Sequence, residues 1–148
     1  MLVKFSAAMA AETEGRTLDP ERLRRGTAAV FERPAHGFYM VAEHAGVSGE
    51  APQVIAQLLV TYEWSDWRNA RFWWIQSVYV EPAWRKRGVY RRMHESIVAQ
   101  ARARGDVCGI RLYVERENKV AQEVYRRVGL KRSPYEVFEE DFILGRKP

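Results

Sequence analysis

Apolar residues at three-to-four spacing, Leu2, Phe5 and Ala8 or Met9, with Glu12 following, predict an amphipathic helix over 2–13 that stops at Gly15. In "LDPERLRRGTAAVF" Asp19 reads as an N-cap and Pro20 as the first helical residue, so a second helix is expected over 20–32. The pattern then becomes β-rich. "GFYMVAEHAG" and "QVIAQLLVTYEW" flank the turn-like "AGVSGEAP" and predict an antiparallel pair. "RFWWIQSVYV", residues 71–80, predicts a third strand ended by Pro82, which has no N–H for a ladder. Met93, Ile97 and Ala101 at every fourth position mark a third helix from Val89 to Arg104, stopped by Gly105. A strand over 107–114, a helix in "NKVAQEVYRRVG" capped by Asn118, and a strand-like run, "YEVFEEDFIL", complete the order αα, βββ, α, β, α, β.

That order predicts one mixed α/β domain spanning residues 1–148, with no repeat and no low-complexity tract. The chain is 47% apolar and 12% aromatic, enough for a packed core, and no run approaches the roughly 18 apolar residues of a membrane span. Lys4, a short apolar run and "AMA" imitate a leader peptide, but the same residues read as the first helix. Cys108 is the single cysteine, which excludes an intrachain disulfide, fits a reducing compartment and so predicts a cytoplasmic protein. His36, His44 and His94 lack metal-ligand spacing, and no metal is expected.

The net charge of +5 points to a polyanionic or phosphate-bearing partner. It concentrates in "EPAWRKRGVYRR", where Arg85, Lys86, Arg87, Arg91 and Arg92 surround Gly88 between a strand end and a helix start. The first turn of a helix offers unpaired N–H groups and a partial positive charge, and a glycine lets a ligand approach the backbone. On spacing alone, a solvated basic helix start fits equally well.

These residues, with a second block, resemble the GNAT superfamily of acetyl-CoA-dependent N-acetyltransferases. "SVYVEPAWRKRGVY" matches the family's pyrophosphate motif at Arg85 and Gly88 and departs from it at Tyr90, where the family has a small residue. "ENKVAQEVYRRVGLKR" matches its second block at Asn118, Ala121, Tyr125 and Gly129. The resemblance covers residues 37–143 and implies the GNAT fold, a mixed and mostly antiparallel sheet flanked by helices. The chain starts inside the family's first helix, so the family's first strand is expected to be missing.

The resemblance also implies roles. Val78, Tyr79 and Val80 would pair with the pantetheine arm of acetyl-CoA, and the amides of Arg87, Gly88, Val89, Tyr90 and Arg91 would wrap its pyrophosphate, with Arg85, Lys86 and Asn118 alongside. The Val78 N–H would face the thioester oxygen, and Tyr125 would protonate the departing thiolate. Tyr90 would crowd one approach to the phosphates. In the diamine acetyltransferase branch, which "YEWSDW" also resembles, a glutamate on the third strand assists deprotonation of the amine; Gln76 stands there, and an amide cannot accept that proton. Glu63 and Asp66 are candidates to act through water, and Glu12 and Glu14 to attract a cationic amine.

Trp73 and Trp74 must face opposite sides of their strand, while Trp64 and Trp67 lie at a loop suited to a binding surface or dimer contact. The expected protein is a homodimeric N-acetyltransferase acting on a small-molecule or peptide amine, with neither nucleic acid nor membrane as partner. Two other classes fit parts of the pattern: a non-catalytic CoA-binding or regulatory domain, suggested by Gln76 and Tyr90, and a basic nucleic-acid-binding module.

Overall fold

A computed structural model of the chain describes residues 1–46 and 51–144. The predicted elements form in the predicted order up to the last. Helix α1 spans Leu2–Glu14 and ends at Gly15, whose left-handed backbone returns its N–H to the helix. Helix α2, Pro20–Glu32, is capped by Asp19, whose carboxylate accepts from the Arg22 amide at 2.6 Å. Strands β1 (Phe38–His44), β2 (Gln53–Ser65) and β3 (Ala70–Val80) form an antiparallel meander. The turn expected between β1 and β2 includes residues 47–50, which lie outside the described residues. Helix α3 (Val89–Ala103), strand β4 (Val107–Leu112) and helix α4 (Lys119–Arg127) follow.

The sheet order is β1-β2-β3-β4, with β4 parallel to β3. Its two faces carry different layers. Leu58, Val60, Trp73 and Ile75 pack with Met93, Ile97 and Ala101 of α3 into the main core. On the other face, the fully buried Gln57 donates to Ser6 of α1 at 3.0 Å, and Tyr79 stacks on Phe5 with centroids 5.1 Å apart. Gln57 and Tyr79 are register partners, as are Leu58 and Val78, so strand alternation assigns one pair to each helical layer. Trp73 joins the core against Phe38, whereas Trp74 is half-buried near Tyr113, which agrees with opposite faces.

One predicted element is absent. "YEVFEEDFIL" forms no strand, and Tyr135, Val137, Phe138, Phe142, Ile143 and Leu144 are exposed. β propensity describes how a side chain suits a pleated, paired surface; without a neighbouring strand the residues stay irregular. The observed order is therefore αα, βββ, α, β, α, and no described strand precedes α1.

Candidate active site

The site begins with a break in the β2–β3 ladder. Leu59 faces Ser77 and Val60 faces Ile75, so Gln76 is an extra residue, a bulge in β3. The β3–β4 ladder ends at the same level, its last pair being Ile75 and Leu112. Beyond it β3 continues to Val80 with no register partner on the β4 side, and this free edge is the wall of the candidate cleft. Gln76 and Tyr113 close its vertex: the Tyr113 hydroxyl donates to Gln76 Oε1 at 2.8 Å, and Gln76 Nε2 donates to Thr61 Oγ1 at 2.9 Å.

The direction of the free backbone groups follows from one hydrogen bond. The Glu81 amide donates to the Ile55 carbonyl of β2 at 2.9 Å. Alternation along an antiparallel ladder then turns Tyr79 and Ser77 toward β2, and the N–H and C=O groups of Val78 and Val80 toward the cleft. The Val80 carbonyl agrees, since it accepts from Arg85 Nε at 2.9 Å instead of from β2. Val78 thus presents a backbone donor and acceptor to the cleft wall.

The basic loop closes the far end of this wall. Lys86 and Gly88 both adopt the left-handed region, with φ of 61° and 76°. Gly88 is the N-cap of α3, no side chain caps that helix, and a Cβ at Gly88 would meet nothing within 4 Å. The first-turn amides therefore open onto free space beside Lys86, Arg87, Arg91 and Arg92. This arrangement fits a pyrophosphate: uncapped donors and helix-dipole charge lie among basic side chains, of which Arg91 is paired with Glu95 at 2.8 Å and Arg87 lies over the Trp84 ring. Arg85 contributes differently from the others. It binds Glu12 at 2.6 Å and lies over the Tyr79 ring, while Tyr79 donates to the second Glu12 oxygen at 3.1 Å. Glu12 and Arg85 thus fasten α1 to the end of β3.

Tyr90 does not crowd the helix start. Its ring lies between α3 and α4, 5.6 Å from the Tyr125 ring in an edge-on arrangement and 5.9 Å from His94. Its hydroxyl is buried without a partner, and burial pushes its pKa above the ordinary tyrosine value. Burial also raises the Tyr125 pKa, so that phenol stays protonated at neutral pH and is able to donate. Asn118 caps α4 through a 3.0 Å bond from the Ala121 amide to its Oδ1, which sets the helix carrying Tyr125.

The structure separates the carboxylates that the sequence grouped. Glu63 stands opposite Phe72 and is bound to Arg111 of β4 at 2.5 Å. At about 3.3 Å per residue, the five positions between Leu58 and Glu63 put it about 16 Å along β2 from the level of Val78. Asp66 lies farther still, in the turn closing the β2–β3 hairpin, where it accepts from the Trp67 amide at 2.8 Å. Neither reaches the Val78 wall directly or through one water, which removes both as candidate bases. Gln76 has both ends of its amide engaged and is the bulge residue. Glu14 pairs with Arg16 at 3.7 Å, and its charge, after that of Glu139, adds to the burial that raises the pKa of the Tyr113 hydroxyl. Tyr113 is the residue that sequence reading missed. Its signal was its place immediately after β4, opposite the aromatic strand that carries Gln76.

The family model of the Acetyltransferase (GNAT) family matches residues 5–130, most of the chain. The chain belongs to the GNAT acetyltransferase family. It is therefore an acyl-CoA N-acyltransferase, and its four-strand mixed sheet flanked by helices matches the folds of GNAT acetyltransferases. A crystal structure of a possible acetyltransferase from Clostridium difficile 630 is similar at 35% identity and TM-score 0.83, over 96% of this chain and 90% of that one. Aminoglycoside N-acetyltransferase AAC(6')-Iy, solved in complex with CoA, shares the fold at 12% identity and TM-score 0.70, over 95% of this chain and 88% of that one. So does a transcriptional regulator from Bacillus halodurans C-125, at 18% identity and TM-score 0.73, over 95% and 93%. No curated protein matches the chain. Among the described residues no helix is long and apolar enough to cross a membrane, and no group of three or more metal-ligating side chains occurs.

Proposed function

We propose that this GNAT enzyme transfers the acetyl group of acetyl-CoA to the primary amine of a small cationic molecule or peptide, by direct attack in a ternary complex. The observation that carries the reading is the free Val78 edge of β3, which leads through the basic loop to an uncapped helix start whose Tyr90 packs against Tyr125. Acetyl-CoA supplies an activated thioester. The Val78 N–H is a preorganised donor for charge developing on an acyl oxygen, usually the largest single catalytic contribution. Val78 to Val80 offer the backbone edge for pantetheine, with Tyr79 anchored to α1 on the opposite side. The amides from Arg87 to Arg91, with Lys86 and the arginines, hold the diphosphate. Tyr125, kept neutral by burial, donates its proton to the leaving sulfur.

Direct attack is supported by the position of Cys108, the single cysteine. It sits at the start of β4 next to the Val107–Arg71 pair, far along the sheet from Val78, so no thiol nucleophile faces the cleft. With Glu63 and Asp66 remote and Gln76 an amide, the amine enters as its neutral fraction. Glu14, together with Glu139, favours a cationic precursor at the Tyr113 end. AAC(6')-Iy has also been solved with the bisubstrate analogue CoA-S-monomethyl-acetylneamine, which is consistent with the ternary complex proposed here.

A thiol-release assay with acetyl-CoA over polyamines, aminoglycosides, amino acids and peptide N-termini tests the reading. Saturable turnover with a cationic amine is expected, along with stabilisation by CoA well beyond that from inorganic phosphate. Stabilisation by CoA without turnover on any amine would leave a non-catalytic CoA-binding domain.

A further inference from the structure

Both carboxylate oxygens of Glu12 are already engaged by the protein. Oε2 accepts from Arg85 at 2.6 Å, and Oε1 accepts from the Tyr79 hydroxyl at 3.1 Å. Burial, and after it the bond to Glu12, holds the Tyr79 pKa above the ordinary tyrosine value, so this phenol donates at neutral pH. The sequence places Glu12 among the acids suited to drawing in a cationic amine. A carboxylate in contact with a guanidinium has its field offset by the adjacent positive charge, and it offers little attraction to a second cation.

Arg85 is held on three sides. Its Nε donates to the Val80 carbonyl at 2.9 Å, its terminal nitrogen donates to Glu12, and its guanidinium lies over the Tyr79 ring, 5.4 Å from the centroid. The bond to Val80 folds the loop back onto the end of β3 across the turn Pro82–Trp84. Lys86 comes next, with φ of 61°, a left-handed conformation that a residue with a Cβ keeps only where its surroundings hold it. Gly88 follows in the same region and is the N-cap of α3. The side chain anchored by Glu12 therefore belongs to the residue directly before the turn that aims the first amides of α3.

We propose that Glu12 is a positioning residue of the donor site: through Arg85 it fixes the left-handed turn at Lys86 and Gly88, and with it the cradle for the CoA pyrophosphate. The proposal rests on the reading of the β3 edge and the α3 start as the acetyl-CoA site. It moves Glu12 from the acceptor side of the reaction to the donor side. It also takes Arg85 out of direct phosphate binding, which falls to the loop amides and to the basic side chains that follow. Helix α1 can serve as a fixed post for this pair because it is docked independently near its start, where Ser6 accepts from the buried Gln57 at 3.0 Å and Phe5 packs against Tyr79.

Calorimetric titration of the full chain with CoA tests this. Glu12→Ala and Arg85→Ala should each weaken binding by about tenfold, and the double variant no further than either, because residues acting through one contact do not add. Glu12→Gln keeps a carbonyl for Arg85 and should fall between Glu12→Ala and the wild type. Ser6→Ala loosens α1 at Gln57, and it should lower the melting temperature while leaving CoA affinity unchanged. Unchanged affinity in Glu12→Ala, additive losses in the double variant, or an equal loss in Ser6→Ala overturns the proposal. Gly88→Ala separates it from the reading beneath it. If that variant binds CoA as tightly as the wild type, the site is misplaced and the proposal falls with it; if Gly88→Ala loses affinity and Glu12→Ala does not, the site stands and the role of Glu12 alone is refuted. Should Glu12→Ala not fold, Arg85→Ala and Glu12→Gln carry the same comparison.

Discussion

The Tyr90 ring stands edge-on to the Tyr125 ring, centroids 5.6 Å apart and planes at 64°, so the residue that departs from the family motif packs on the proposed acid. Its hydroxyl contributes no protein hydrogen bond and is buried. Tyr90→Phe keeps the packing and removes an unsatisfied polar atom, which costs about 1–3 kcal/mol when left buried. The variant is expected to gain about 1 kcal/mol, or about 2–4 °C in melting temperature for a chain of this size, with turnover within about threefold of wild type. Thermal unfolding monitored by circular dichroism checks the first part and steady-state thiol release the second.

Tyr125→Phe removes the proposed proton donor while preserving the ring against Tyr90. General acid catalysis contributes about 10²–10⁴-fold, so kcat should fall by at least about 100-fold while the affinity for CoA stays within about threefold. A leaving group more acidic than the CoA thiol should recover part of the loss. Unchanged turnover would assign Tyr125 to packing alone.

At Gly88 the backbone conformation rather than crowding forbids a side chain, because nothing lies within 4 Å of an added Cβ. Gly88→Ala forces a left-handed conformation that costs an L-residue about 1–2 kcal/mol. Relaxing that strain rotates the α3 amides away from the anion, so CoA binding is expected to weaken by about tenfold, read by calorimetry. Binding of an amine acceptor should be unaffected.

Burial of His94 holds its pKa below the ordinary histidine value. Above the unfolded pKa, near 6.5, neither state is protonated at this site. As pH falls below it, the unfolded chain takes up a proton that the folded chain refuses, so stability declines until the lower folded pKa is reached. Denaturant midpoints measured from pH 7.5 down to 5.5 should decrease, and His94→Leu should flatten that slope.

Glu63 and Asp66 stand far along the sheet from Val78 and Gln76 is an amide, so log kcat/KM is expected to rise with unit slope toward the pKa of the amine. A plateau near pH 7, well below the acceptor's own pKa, would show that a side chain takes up the proton. The comparison needs two acceptors whose pKa values differ by about two units, because the free-amine requirement shifts the profile with the acceptor.

The sequence carried the fold well where local chemistry and tertiary packing agree. Asp19, Gly15, Asn118 and the three-to-four spacing in α3 each mark an element boundary or face that the structure realises. It misled at 135–144, where strand propensity is present but the paired edge is not. In the site, the αL glycine and basic loop were visible as a motif, whereas the arrangement of carboxylates was not. Glu63 and Asp66 are close in sequence to a strand bordering the cleft, yet register carries them far along it, and register is a property of the pairing. The Glu12–Arg85–Tyr79 cluster joins residues more than 60 positions apart and leaves no periodic trace.

The bulge at Gln76 has a consequence for how this enzyme tolerates change. It marks the level at which β4 stops pairing, beyond which Val78 keeps Leu58 as its register partner on β2 but has none on the β4 side, and the group exposed there belongs to the peptide unit that every residue type except proline carries. Replacing the valine by alanine leaves that donor in place, so a conventional scan of side chains passes over the proposed oxyanion donor. Proline at 78, or an ester in place of the amide, reveals it. The same property frees neighbouring side chains to diverge among related enzymes while the chemistry is kept.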